Sequence, residues 1–129
     1  MIRYILISAI LLMVITTGCG KDHSNLPTGF IYDPPSVPTN LDVTGKAELA
    51  TLSWDFPGEE LDEISEFRIY YYFEYYGIQE LIGTTTETSY VDSFLVGNLE
   101  YCYQVSAVDS TGLEGYRTEA ECAFVGTSN

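Results

Sequence analysis

The stretch Leu95-Val96-Gly97-Asn98-Leu99-Glu100-Tyr101-Cys102-Tyr103-Gln104-Val105-Ser106-Ala107-Val108-Asp109-Ser110-Thr111-Gly112 decides how this chain folds. Within it Tyr101, Tyr103, Val105 and Ala107 alternate with Cys102, Gln104 and Ser106. A period of two places the first set on one face of a strand and the second on the other. Asp109-Ser110-Thr111-Gly112 ends the strand as a turn, because Asp and Ser bond their own backbone and Gly tolerates a positive φ.

The same period recurs on both sides. Ala50, Leu52 and Trp54 point one way and Thr51, Ser53 and Asp55 the other, until Pro57-Gly58 stops the run. Upstream, Asp33-Pro34-Pro35-Ser36-Val37-Pro38 reads as an extended edge segment leading to a strand with Leu41 and Val43. From Ile64, Phe67, Ile69 and Tyr71 share one face while Arg68, Tyr70 and Tyr72 share the other. A turn at Gly77 leads to a shorter strand with Leu81 and Ile82. Residues 87–92 form the next strand around Tyr90, and residues 118–125 the last. Nothing from Asp33 onward repeats at helical spacing over three turns, so seven strands predict an all-β sandwich. Trp54 is expected between the two sheets, flanked by Leu52, Ile69, Tyr90, Tyr103 and Val105.

These residues occur in a telling order: Pro35, Pro38 and Leu41, then Leu52-Ser53-Trp54, then Phe67-Arg68-Ile69-Tyr70, then the stretch from Leu95 to Gly112. In that order and spacing, residues 34–125 resemble a fibronectin type III domain. Leu95 and Tyr101 match the family's tyrosine corner, in which the phenol bonds back to the backbone before its strand. The resemblance implies an immunoglobulin-like sandwich of seven strands.

The N-terminus differs in composition from the rest. Arg3 precedes an apolar run of 12 residues, Tyr4 to Ile15, interrupted only by Ser8. That run is short against the ~20 residues a membrane span needs, and with its basic start it reads as an export signal. Thr16-Thr17-Gly18-Cys19 follows and resembles the bacterial lipobox, with Thr16 standing where that motif usually has Leu. The resemblance implies cleavage after residue 18 and lipidation of Cys19, so that the membrane is a partner through the lipid. Gly20 in place of Asp further implies the outer membrane or cell surface if the host is Gram-negative. Residues 1–18 are thus expected as signal peptide, 19–33 as lipidated cysteine and flexible tether, and 34–129 as the domain. His23, the single histidine, falls in the tether.

Charge and composition narrow the function. Five basic residues face 19 acidic ones, a net charge of −14, which argues against nucleic acid and against attraction to anionic head groups. With no histidine in the domain there is no Ser-His-Asp or Cys-His arrangement and no zinc set of the usual type. The run Glu59-Glu60-Leu61-Asp62-Glu63 lacks the alternation of a calcium loop and reads as a solvated acidic turn. No catalytic residue, metal or cofactor is expected, and a carboxylate-based hydrolase is the remote alternative. With Cys19 committed to lipid, Cys102 and Cys122 form an even pair in an oxidising compartment. They lie symmetrically about Gly112, opposite each other in an unbulged hairpin, and a disulfide on the outward face follows.

The remaining feature is Tyr70-Tyr71-Tyr72-Phe73-Glu74-Tyr75-Tyr76. Alternation buries Tyr71, leaves Tyr70 and Tyr72 on the outer face, and puts Tyr75 and Tyr76 at the turn. Exposed tyrosines supply rigid amphipathic area and suit contact with a protein or glycan partner. The alternative reading makes them strand formers that cover Arg68. The expected function is a non-catalytic, lipid-anchored envelope binding module, with a structural spacer or assembly subunit as the alternative.

Overall fold

Alternating β-branched and aromatic residues build seven strands: β1 (Thr39–Lys46), β2 (Leu49–Asp55), β3 (Ile64–Phe73), β4 (Ile78–Thr85), β5 (Ser89–Ser93), β6 (Leu99–Asp109) and β7 (Glu121–Val125). They come from a computed structural model that describes residues 33–128; the expected signal peptide, the expected lipidation site Cys19 and the expected tether through residue 32 lie outside the described residues. The acidic run after β2 forms one short 3-10 turn, Leu61–Glu63. One sheet has the order β1-β2-β5 and the other β4-β3-β6-β7, with every neighbouring pair antiparallel. This is the sandwich that the alternation and the resemblance implied.

The core is the set of inward positions. Val43, Ala50, Leu52, Trp54, Phe67, Ile69, Leu95, Tyr103, Val105, Ala107 and Val125 are all buried, and Tyr90 packs half-buried against them. Trp54 meets Phe67 edge to face, with ring centroids 5.4 Å apart, and Phe56 meets the same ring at 5.2 Å. The tyrosine corner is present. The Val96 amide donates to the Tyr101 hydroxyl at 3.0 Å, and that hydroxyl donates to the Val96 carbonyl at 3.1 Å. Beyond their own sheets, the ends of β1 and β7 meet where the amide of Gly126, just past β7, donates to the Lys46 carbonyl of β1 at 3.1 Å.

β4 is shorter than β3, eight residues against ten, as the sequence reading expected, and Gly77 at φ 59° closes the tight turn between them. Two strand boundaries differ from the sequence reading. β5 starts at Ser89 rather than at residue 87. The last strand starts at Glu121 rather than at residue 118. The Val105 amide donates to Thr118 Oγ1 at 3.1 Å, so that hydroxyl takes the place of a backbone acceptor and the ladder breaks.

Candidate functional site

The four-stranded sheet splits at one end. β3 pairs with β6 only as far as Tyr71 opposite Tyr103. Beyond that point β3 stays with β4, through Tyr72 opposite Gln79 and Phe73 opposite Ile78. β6 stays with β7, through Cys102 opposite Cys122 and Leu99 opposite Val125. Between the two diverging hairpins lies an open groove of about 360 Å³, lined by residues 71–76 and 99–102.

The groove's floor is held from below. Tyr71 stands 5.4 Å from Tyr103 and 5.9 Å from Tyr101, ring centre to ring centre. Tyr71 and Tyr103 both donate their hydroxyls to Asp92 Oδ2, at 2.5 and 3.0 Å, tying β3 and β6 to β5 of the opposite sheet. Burial, and then the Asp92 charge, push both phenols well above the ordinary tyrosine value. They stay neutral donors throughout the physiological range. Tyr101 is fixed by its corner bonds. The floor is therefore preorganised, since none of these side chains can swing away without breaking a bond.

The rim is exposed. Tyr75 and Tyr76 are 89% and 70% accessible and meet edge to face at 4.8 Å, while Glu74 and Glu100 are exposed beside them. Tyr72 is half-buried and lines the groove. Both turn tyrosines thus lie where alternation placed them.

Tyr70 requires a correction. It does face outward on β3, but only 6% of it is accessible, because the chain returning from β6 to β7 lies over it. Arg117 stacks on its ring with 3.6 Å between guanidinium carbon and centroid, and its hydroxyl donates to Glu114 Oε1 at 2.6 Å. The same carboxylate accepts from Ser106 at 2.7 Å and, through Oε2, from Arg68 Nη1 at 2.7 Å. Tyr70 is a structural partner of this polar cluster and leaves the set of candidate binding residues. Glu114 itself is lowered below the usual carboxylate range: burial raises it, but the bonds from Tyr70, Ser106 and Arg68 outweigh that.

Cys102 and Cys122 are joined by a disulfide across the pair that closes one wall of the groove. The hairpin between them is not regular, however. Val108 bridges Glu114, so six positions on β6 are matched by eight on the returning chain. Two extra residues preserve the facing of the side chains, where one would have turned a sulfur inward. The Glu100 carboxylate lies close to both sulfurs, but the disulfide occupies those sulfurs, so the trio does not act as a metal donor set.

The sequence reading missed Leu99 and Glu100 as lining residues and Glu114 and Arg117 as the cover over Tyr70. The pairing of β3 with β6 is the signal for the first two, since it brings the end of one beside the start of the other. For Glu114 and Arg117 no comparable pattern exists.

No family model matches the chain. An alpha-amylase of Niallia circulans is 36% identical over 90 residues, which is 68% of this chain and 6% of the amylase. A solved structure described as a myokine is 27% identical with a TM-score of 0.58, covering 71% of this chain and 98% of its own. A Fn3-like protein from Clostridium thermocellum is 24% identical with a TM-score of 0.61, covering 75% and 99%. A human fibronectin type-III domain is similar at 17% identity and a TM-score of 0.63, covering 74% and 90%.

Proposed function

We propose that this chain, a single fibronectin type III domain, is a non-catalytic binding module of the cell envelope, anchored by lipid on Cys19. The fold supports a binding or structural role. The observation that carries the binding reading is the groove where the sheet splits: a rigid, bonded floor beneath two exposed tyrosines. A purely structural spacer has no use for aromatic area held open to solvent on an ordered frame. The amylase match spans 6% of that enzyme, and we read it as a shared domain rather than a shared activity. It also favours a second reading, in which the partner is a glycan.

A photo-crosslinking residue placed at Tyr76 in intact cells tests the binding reading. A discrete adduct that fails to form from position 87, on the far side of β4, is the expected result. No adduct at position 76 would return the chain to the class of spacers. Anchoring is tested separately with a fatty-acid probe, which should label the wild type and not Cys19→Ala.

A further inference from the structure

The domain's own arginines show how this chain holds a guanidinium. Arg117 lies on the Tyr70 ring at 3.6 Å while Glu114 Oε1 stands 3.9 Å from its Nε. Arg68 is bracketed by Glu66 at 3.0 Å and Glu114 at 2.7 Å. An aromatic face beside a carboxylate thus cradles Arg117, while two carboxylates hold Arg68. Among the described residues the only basic side chains are Lys46, Arg68 and Arg117, and none of them lines the groove. Yet the groove repeats the cradle's chemistry: Tyr72, Tyr75 and Tyr76 supply rings, and Glu74 and Glu100 supply carboxylates.

We infer that the groove takes an arginine- or lysine-bearing segment of a protein partner; this rests on the binding reading above. Three physical arguments converge on a cation. A ring face attracts a guanidinium through its quadrupole, and more strongly when water is displaced. Carboxylates at the rim add charge-assisted bonds to a group that the chain itself does not provide. Finally, residues 33–128 hold 18 acidic and three basic side chains, a field that draws cations in and turns anions away. Arginine fits better than lysine, because its flat fork can stack on a tyrosine while its edge meets a carboxylate. An uncharged glycan could stack on the same rings but would leave the carboxylates without a charge partner.

Binding is measured on the full chain in detergent with three probes: a labelled Gly–Arg repeat peptide, the same peptide with citrulline for arginine, and maltoheptaose. The arginine peptide should bind about tenfold more tightly than its citrulline isostere. Tyr75→Ala/Tyr76→Ala and Glu74→Gln/Glu100→Gln should each weaken it by about tenfold. Glu87→Gln/Glu119→Gln removes the same charge elsewhere on the surface and should leave binding unchanged. Equal loss in the two glutamine variants would show diffuse attraction and overturn the inference. So would equal binding of the citrulline peptide, or no binding of either peptide. Maltoheptaose bound in place of the peptides, and lost with Tyr75 and Tyr76, would overturn the cationic partner but keep the groove. Failure of the binding reading has its own signature, the missing adduct at position 76.

Discussion

Glu114 ties together segments that are far apart in the chain. Its carboxylate accepts from Arg68 and Tyr70 on β3 and from Ser106 on β6. Because its pKa in the fold is lowered, the stability it contributes is fully present above the unfolded value of about 4.3 and is lost as pH falls through the folded value. Glu114→Gln should therefore cost about 1–3 kcal/mol at pH 7, the usual worth of bonds to a charged group. The same variant should show a shallower loss of stability between about pH 5 and pH 3 than the wild type. Urea titrations at pH 7 and pH 4 check both, and an unchanged acid slope would show that Glu114 is not the responsible group. None of this was legible in the sequence. Alternation correctly gave Tyr70 its face, but burial depended on a segment 44 positions away whose residues follow no period.

At the scale of elements, most of the architecture could be read from residue order. Trp54 on β2, Phe67 and Ile69 on β3, and Tyr103 and Val105 on β6 are buried because a period of two leaves them no other face. The groove was harder to foresee, since it arises where pairing stops, and single-strand periodicity is silent about that. The Cys102–Cys122 pair lies on the β6 side of the split, joining the two strands of one wall. Closing a loop with a sequence separation of 20 is worth about 3 kcal/mol in the chain-entropy model. Cys102→Ala/Cys122→Ala should lose about that much stability, read as a lower denaturant midpoint with a steeper slope, because the unlinked unfolded chain exposes more surface. Mass mapping without reductant should recover the bridge from the wild type. Two free thiols would contradict the pairing, and a loss below about 1 kcal/mol would mean the hairpin holds its register unaided.

Across the whole domain, charge sets a tension between stability and binding. Residues 33–128 carry 18 acidic side chains against Lys46, Arg68 and Arg117, and both arginines are already engaged around Glu114. Most of the remaining carboxylates face solvent and repel one another. Surface repulsion of this kind is screened within about 10 Å at 0.1 M salt, so moderate NaCl should stabilise the fold. For a domain of this size a gain of about 1 kcal/mol would raise Tm by about 4–8 °C between 10 mM and 300 mM NaCl. Thermal unfolding followed by circular dichroism checks it, with an equal concentration of an uncharged osmolyte as control. A flat or falling Tm would mean that the carboxylates are already too well solvated to oppose folding. The same salt should weaken capture of a cationic segment, because screening removes the attraction along with the repulsion. A basic partner would then do for the fold what salt does, by placing positive charge among the carboxylates. Its binding should raise Tm most at low ionic strength and least at high.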